Sequence, residues 1–191
     1  MGTGSCPVNR GRGATVWFTG LPGAGKTTLS CAVERALMDA DHVAYRLDGD
    51  EVRRTLCADL GFDRAARAEN VRRVACVARM LADAGVIALV ALISPYESDR
   101  AAARELHEQA DLRFIEVYVD TPVEVCRQRD PKGLYAGAVA GDVHLLTGVD
   151  DPYERPQRPD LRLGPQPLEQ SVRAVLDVLA RDGVLTTSSK Q

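Results

Sequence analysis

The chain contains 191 residues with a hydrophobic fraction of 45%, which is enough for the core of about one domain. Its formal net charge of -3 and pI near 5.7 argue against a nucleic-acid-binding protein, because that function requires a basic face. The five cysteines form no Cys-x-x-Cys pair, and no apolar run has the ~18 residues of a membrane span. We therefore predict a soluble, cytoplasmic protein without disulfides, a zinc site or a membrane partner.

Apolar spacing divides the chain into alternating strands and helices. Leu29, Val33 and Leu37 lie four residues apart, as on one face of a helix. Residues 86–93 form an almost continuous apolar run, which is typical of a strand buried on both faces. In chain order, such patterns predict strands at 14–19, 42–47, 86–93, 114–119 and 161–163, and helices at 27–40, 69–84, 98–109, 122–129 and 168–181.

This alternation predicts an α/β fold with a mainly parallel sheet. We expect one domain at 14–185, a flexible N-terminal arm at 1–13 and a C-terminal tail at 186–191. Residues 130–160 show no periodicity and are rich in Gly, Pro and Asp, and so long a stretch is usually a lid or binding loop, or else disordered. We place the lid at about 130–150. Cys31 and Cys76 fall on predicted helices, where we expect small buried hydrophobes.

A phosphate-binding loop follows the first predicted strand. Residues 20–27 read GLPGAGKT and fit G-x-x-x-x-G-K-[ST], in which backbone N–H groups and a helix N-terminus surround phosphate oxygens. In this motif Lys26 reaches the β- and γ-phosphates, and the Thr27 hydroxyl binds Mg²⁺. The motif predicts a P-loop NTPase-type three-layer α/β/α sandwich that binds a nucleotide through Gly20, Leu21, Pro22, Gly23, Ala24, Gly25, Lys26, Thr27 and Thr28. The chain has no Asn-Lys-x-Asp base reader, so its size and lid favour a small-molecule kinase over a GTPase.

Two aspartates follow the second predicted strand, at the edge where ligands bind in open α/β sheets. A carboxylate there can take a proton from an attacking hydroxyl or help to hold Mg²⁺, so we name Thr27 and Asp50 as the metal ligands. Alternatively, Asp48 or Asp50 serves only as the cap of a helix that begins near Glu51.

Arginines follow this acceptor-side loop. Guanidinium groups bind sulfate and phosphate in a bidentate way, so the cluster suggests an anionic acceptor. Phe62 either stacks on a base or fills the core. The arginines of the cluster are Arg53, Arg67, Arg72 and Arg73.

Taken together, the motifs resemble those of the adenylyl-sulfate (APS) kinase family. The segments LDGDEVRRTL, RAENVRR, ISPYESDR, RDPKGLY and TGVDDPYERPQRPDLRL stand in that family's order, and the resemblance covers about residues 14–165. It implies transfer of the γ-phosphoryl group of ATP to the 3′-hydroxyl of adenosine 5′-phosphosulfate (APS), giving PAPS for sulfate assimilation or sulfonation. It also implies ATP and Mg²⁺ as cofactors, a homodimer, and an ATP sulfurylase as a candidate partner.

The resemblance implies a role for each matching residue. Asp50 activates the 3′-hydroxyl, Lys26 and the lid residue Lys132 neutralise charge on the phosphoryl group, and Arg129 lies beside the ATP adenine. Ser94 completes the implied catalytic set because relatives are described as phosphorylated there. We favour direct in-line transfer, since nothing near Ser94 in sequence marks an activating base. The implied acceptor site comprises Asp48, Asp50, Arg53, Phe62, Arg67, Asn70, Ile93, Ser94, Lys132 and Leu146.

The lid departs from the family pattern. Gly137 and Val139 stand where cations are usual, and Leu146 replaces a phenylalanine that forms one face of an adenine sandwich. The departures represent either tolerated drift, which we favour, or a changed nucleotide acceptor. A third reading is a weakly active nucleotide-binding partner of a sulfurylase, against which the intact phosphate loop and DGD segment argue.

Overall fold

The structure, a computed structural model, describes residues 13–142 and 145–185. The strands are β1 (Ala14–Thr19), β2 (Ala44–Asp48), β3 (Ile87–Ala91), β4 (Arg113–Val119) and β5 (Leu161–Leu163). The helices are α1 (Lys26–Asp39), α2 (Gly49–Arg54), α3 (Arg64–Asp83), α4 (Glu97–Glu108), α5 (Val123–Arg129), α6 (Leu134–Ala140) and α7 (Leu168–Arg181). The predicted tail and nearly all of the predicted arm lie outside the described residues.

The strands form one parallel sheet in the order β2-β3-β1-β4-β5. Every residue of β1 and β3 is buried, as the continuous apolar run at 86–93 predicts. The chain passes from β1 to one side of the sheet for β2 and β3, and then to the other side for β4 and β5. This reversal of direction opens a crevice at the carboxyl end of β1, where ligands bind in such sheets.

A hydrophobic core lies on each face of the sheet. Phe18 of β1 belongs to the core under α1 and α7, whereas the neighbouring Trp17 belongs to the core under α3 and α4. Successive strand residues point to opposite faces, so one strand contributes to both cores. The three layers confirm the predicted α/β/α sandwich.

Two helices differ from the prediction. Helix α3 begins at Arg64 rather than at 69, because the Asp63 carboxylate accepts a hydrogen bond of 2.8 Å from the backbone N–H of Ala66 and caps the helix. Helix α6 lies inside the lid, where no helix was predicted. The Asp130 carboxylate accepts hydrogen bonds from the backbone N–H groups of Tyr135 and Ala136 in its first turn.

The prediction for the helical cysteines was wrong. Cys31 is exposed and Cys76 is half-buried. Cys31 is exposed because it lies two residues after Leu29 and therefore away from the apolar face of α1. The buried cysteines of the described residues are Cys57 and Cys126. Within residues 13–142 and 145–185, no helix combines the length and the apolar character that crossing a membrane requires.

Candidate active site

A large cavity of about 1200 Å³ opens at the carboxyl edge of the sheet. The phosphate loop forms its floor between β1 and α1, and the ends of β2 and β3 form one side. The lid residues 129–135 and 145–147 border it from above. The predicted phosphate residues other than Gly20 and Leu21, the predicted acceptor residues and part of the lid therefore line one cavity.

The glycines of the phosphate loop hold conformations that other residues rarely adopt. Gly23 and Gly25 have φ angles of 76° and 103°. A Cβ atom at Gly20 would lie 2.6 Å from the carbonyl oxygen of Val119, so this position has no room for a side chain. The turn delivers the chain directly into the N-terminus of α1, whose unpaired N–H groups and positive dipole end attract phosphate.

The ammonium group of Lys26 folds back over its own loop. Its Nζ atom donates hydrogen bonds to the carbonyl oxygens of Gly20 at 2.9 Å and Leu21 at 2.8 Å. The pKa of Lys26 is lowered to about 8, mainly because burial disfavours the charged ammonium; the charge of Lys132 also lowers it, while Cys126, Asp48 and Asp50 raise it. The ammonium therefore remains charged near pH 7 and carries donors that phosphate oxygens can take over.

Asp48 and Asp50 perform different tasks. Asp48 is the cap of α2, because its Oδ1 atom accepts a hydrogen bond of 3.0 Å from the backbone N–H of Asp50. Its Oδ2 atom also accepts a hydrogen bond of 2.7 Å from the Thr27 hydroxyl. The carboxylate beside Thr27 is thus that of Asp48, whereas Asp50 forms an ion pair with Lys132 of the lid.

The lid is fastened to the phosphate loop. Tyr135 of α6 is buried, and its hydroxyl donates a hydrogen bond of 3.0 Å to the carbonyl oxygen of Pro22. The guanidinium of Arg129 lies 3.5 Å from the carbonyl oxygen of Ala24. These contacts bring the predicted ATP residue Arg129 against the loop and seat α6 over it.

Three of the predicted acceptor residues form a group around one aromatic ring in the cavity. Arg53 stacks on the ring of Phe62 at 4.7 Å from its centroid, and Arg67 lies 6.0 Å from the same centroid. Phe62 is 58% exposed and therefore does not fill the core, which leaves the ring available for a ligand. The buried amide of Asn70 donates to Cys57 Sγ at 3.4 Å. Guanidinium groups around an accessible ring suit a planar ligand with an anionic substituent.

The arginine cluster divides into two pairs. Arg53 and Arg67 line the cavity, but Arg72 and Arg73 do not. Arg72 pairs with Glu69 at 2.7 Å, and Arg73 pairs with Glu69 and with Asp59 on the outer surface. Of the four arginines whose clustering suggested an anionic acceptor, only Arg53 and Arg67, the two named for the acceptor site, line the cavity.

The segment after β3 forms part of the cavity wall. Ser94 is buried with a φ angle of 40°, and its hydroxyl accepts a hydrogen bond of 3.0 Å from the Trp17 indole N–H. The carbonyl oxygen of Ile93 accepts a hydrogen bond of 2.7 Å from the Thr19 hydroxyl. Among the described residues, no carboxylate or imidazole contacts the Ser94 hydroxyl. Both residues therefore line the site through fixed backbone rather than through an activated side chain.

The altered lid positions have different surroundings. Leu146 is buried at 5% exposure and lines the cavity, whereas Val139 is 91% exposed. Gly137 lies within α6. Of the three departures, Leu146 is the one that contacts the binding space.

Part of the cavity was missed in the sequence. Its end beside the phosphate loop is lined by Thr121 after β4 and by the turn that follows β5. The Thr121 hydroxyl donates a hydrogen bond of 2.9 Å to the carbonyl oxygen of Ala24. The sequence offered one signal for these residues, namely their positions directly after predicted strands, because the carboxyl ends of all parallel strands meet at this edge. The turn contributes Gly164, Pro165 and Gln166, and the flanking elements contribute Leu163 of β5 and Ser171 of α7.

The family model described as Adenylylsulphate kinase matches residues 12–164. The chain belongs to the adenylylsulphate kinase family. Over 148 residues it is 52% identical to the adenylyl-sulfate kinase of Aeromonas hydrophila, with 78% of this chain and 74% of that protein covered. The structure of the Mycobacterium tuberculosis APS kinase CysC in complex with AMPPNP and APS aligns with a TM-score of 0.87 and 51% identity, covering 88% of this chain and 98% of that one.

Some adenylylsulphate kinase relatives are much longer proteins. The Bifunctional enzyme CysN/CysC of Mycobacterium tuberculosis is 52% identical over 169 residues, which is 88% of this chain but only 28% of that protein. The chain thus spans about a quarter of this bifunctional relative. The match confirms the family resemblance found in the motifs.

Proposed function

We propose that the chain is an adenylyl-sulfate kinase that transfers the γ-phosphoryl group of ATP to the 3′-hydroxyl of adenosine 5′-phosphosulfate. One observation carries the proposal: a complete phosphate loop and the side chains of Arg53, Phe62 and Arg67 line one cavity. Asp50 and Lys132 form an ion pair and line the same cavity. A phosphoryl donor and an anionic nucleoside acceptor can therefore face each other across these two charges.

In the proposed reaction, the acceptor oxygen attacks the γ-phosphorus as the bond to the β-phosphate oxygen breaks. Asp50 accepts the proton of the attacking hydroxyl or orients it. Lys26 and Lys132 exchange their present oxygen partners for phosphate oxygens and offset the negative charge that spreads over the phosphoryl group. Arg53, Arg67 and Phe62 hold the acceptor, so that the reaction becomes unimolecular.

The oxygen donors at the phosphate loop fit Mg²⁺, which prefers hydroxyl and carboxylate ligands. The Thr27 hydroxyl, with Asp48 beside it and Asp50 nearby, would hold the ion. When bound, Mg²⁺ supplies charge neutralisation and orients the phosphates. The Thr27–Asp48 hydrogen bond directs the hydroxyl proton toward the carboxylate, which leaves the oxygen lone pairs for a cation.

Ser94 is proposed to shape the acceptor pocket rather than to carry a phosphoryl group. Its hydroxyl is buried and accepts a hydrogen bond from Trp17. Nucleophilic catalysis by serine requires an adjacent base, and the described part of the chain places none against this hydroxyl. Direct transfer therefore remains our proposal.

The experiment is ADP release from MgATP with a panel of acceptors: APS, AMP, 3′-dephospho-CoA and other nucleoside 5′-phosphate derivatives. We expect kcat/KM for APS to exceed that of every other acceptor by at least about 100-fold, since a site built to bind the sulfate group leaves polar groups unpaired with an analogue that lacks it. No turnover with any acceptor would favour the alternative of a nucleotide-binding partner of a sulfurylase. A matched control without acceptor measures background hydrolysis.

A second candidate function is the same transfer to a different nucleotide. Leu146 favours it, because this residue lines the cavity where relatives are expected to place an aromatic ring. Loss of one stacking face weakens base binding by about 1–3 kcal/mol. If Leu146→Phe improves KM for APS while another acceptor is used best by the unaltered chain, the acceptor has changed.

The remaining properties are proposed from the family alone. We infer a homodimer in the cytoplasm, with an ATP sulfurylase as a candidate partner. The similarity to a bifunctional enzyme supports an association of this chain with a second enzyme activity. Light scattering on the purified chain tests the dimer. Co-purification with a sulfurylase from the same cells tests the partner.

A further inference from the structure

We propose that Asp151, a residue outside the reacting groups, is a positioning residue that fixes Arg67 for the anionic acceptor. The inference rests on the proposed function and extends it to a residue that the motifs gave no role. Asp151 follows the lid, and its carboxylate is largely buried at 11% side-chain exposure. Its Oδ2 atom lies 3.2 Å from Nε of Arg67.

The Asp151 carboxylate joins three separate parts of the chain. Oδ1 accepts a hydrogen bond of 2.8 Å from the Tyr96 hydroxyl, which stands after β3. Oδ2 accepts a hydrogen bond of 3.2 Å from the Thr147 hydroxyl at the end of the lid. With Arg67 from α3, these contacts hold the carboxylate in one orientation.

Arg67 needs such a partner because its guanidinium is 8% exposed, and a buried charge without compensation is costly. Its Nε also donates 2.8 Å to the carbonyl oxygen of Phe62, and NH2 donates 2.5 Å to that of Leu145. These bonds fix the plane of the guanidinium. Within residues 13–142 and 145–185, NH1 of Arg67 has no hydrogen-bond partner, so it is the donor left for a ligand in the cavity that Arg67 lines.

Asp151 compensates the charge of Arg67 from outside the cavity. Asp151 contacts Arg67 on the Nε side, and Asp151 is not among the residues that line the cavity. It therefore compensates the buried guanidinium from behind without occupying the acceptor's place. Removing the negative charge frees Arg67 to reorient and loosens the turn that carries Leu145 and Thr147 across the acceptor end.

The test is Asp151→Asn, which keeps the size of the side chain and its acceptor for Tyr96 but removes the charge. We expect KM for APS to rise between about 10-fold and 100-fold, because small displacements of a binding group cost this much. KM for MgATP and kcat should change by less than about 2-fold, since the phosphate loop is untouched.

The matched control is Asp99→Asn. Asp99 also pairs with an arginine of α3, Arg64, at 2.8 Å, but neither residue lines the cavity. This control should leave KM for APS unchanged. Thermal unfolding of both variants, followed with and without MgATP, reports whether each chain is folded and binds its nucleotide.

A double-mutant cycle with Arg67→Gln distinguishes positioning from general destabilisation. If Asp151 acts through Arg67, Asp151→Asn adds little to KM for APS once Arg67→Gln is present. Additive effects, or an equal loss of both KM values and kcat, would overturn the inference. Failure of the unaltered chain to use APS would instead overturn the proposed function, so the two failures are distinguishable.

Discussion

Asp48 and Asp50 show how two residues of the same type, two positions apart, come to do different work. Asp48 accepts hydrogen bonds from Thr27 and from the backbone N–H of Asp50, whereas the Asp50 carboxylate contacts only the half-exposed side chain of Lys132 among the described residues. Only Asp50 can therefore change partners at low cost. This difference follows from the cap geometry at the end of β2, which the sequence left undecided between the two.

Asp50→Asn tests the proposed proton acceptor. We expect kcat to fall by about 100-fold or more, because an amide cannot take the hydroxyl proton. The Kd for MgATP should change by less than about 3-fold, since the contacts of Lys26 and Thr27 remain. Glu51→Gln, a neighbouring exposed carboxylate outside the cavity, is the control and should retain full turnover. Normal turnover by Asp50→Asn would remove Asp50 from the mechanism.

The pKa of Lys26, lowered by burial to about 8, predicts a pH dependence of nucleotide binding. Phosphate favours the charged ammonium, so binding above pH 8 must be accompanied by uptake of a proton. The Kd for MgATP should therefore rise between pH 8 and 9.5, by at most tenfold per pH unit for about one linked proton. Titration calorimetry in this range measures it. Lys26→Arg, which cannot lose its charge there, should give a flatter profile.

The arginines show what can be read at single positions. At about 100° per residue, Arg72 lies about 140° around α3 from Arg67, while Asn70 lies about 60° away. Helical geometry alone thus separates the cavity residues from Arg72. The ion pairs of Arg72 and Arg73 with Glu69 and Asp59 account for the rest. The sequence prediction grouped these arginines by their distance along the chain and did not use their angular positions around the helix.

Helix α6 is the element that could not be predicted from the sequence. Its residues, LYAGAVA, are small and carry no clear apolar stripe, so periodicity could not reveal it. Its first turn is stabilised by Asp130, and Tyr135 docks it on the loop at Pro22. The stability of this helix therefore comes from contacts outside it. Elements with their own pattern, such as β1 and α7, were predicted with the observed bounds.

Tyr135→Phe tests the docking of α6. The substitution removes the hydroxyl that donates to Pro22 and leaves that carbonyl without its donor, so the free energy of unfolding should fall by about 1 kcal/mol. Urea denaturation measures the change. Tyr45→Phe, at a position 53% exposed, removes a hydroxyl without a buried partner and should be close to neutral. Equal stability of the two variants would show that the hydroxyl does not fasten the lid.

At the scale of the whole molecule, Asp160 ties the sheet edge to its helices. It accepts hydrogen bonds from Arg104 of α4 at 2.6 Å, from Arg113 of β4 at 3.1 Å and from the backbone N–H of Glu116 at 2.8 Å. Burial opposes its ionisation, but the hydrogen bonds from Arg104 and Glu116 outweigh this and lower the pKa of Asp160 below its ordinary value. The carboxylate thus stabilises the fold while it is ionised.

The sign of this effect predicts a pH-dependent stability. Because the folded-state pKa of Asp160 is lowered, its contribution is present above about pH 4 and is lost as the pH falls through the folded-state value. Asp160→Asn should therefore lower the free energy of unfolding by about 2 kcal/mol at pH 7, and the difference should shrink toward pH 3. Denaturant titrations across this range measure it. The exposed Asp39→Asn should show no such convergence.

The sheet and its layers could be predicted because each strand and helix carries a periodic pattern and parallel strands share one ligand edge. The floor of the site was also predictable, since the residues of the phosphate loop are contiguous. The end formed by Thr121 and Gln166 was not, because these residues come together only through the strand order β1-β4-β5. Asp151 escaped for the same reason: its partners are Arg67, Tyr96 and Thr147, from three distant segments.

Both lysines of the cavity already have oxygen partners before a nucleotide arrives. Lys26 is held by the carbonyls of its own loop, and Lys132 by Asp50. Phosphate binding thus replaces the protein oxygens around Lys26 and Lys132 with phosphate oxygens. The heat released is only the difference between these two sets of contacts. Because Lys132 and Asp50 are both about half exposed, salt weakens their pair readily. When a phosphate group takes Lys132 as its partner, the Lys132–Asp50 ion pair breaks, and the lid lysine and the Asp50 carboxylate are released together.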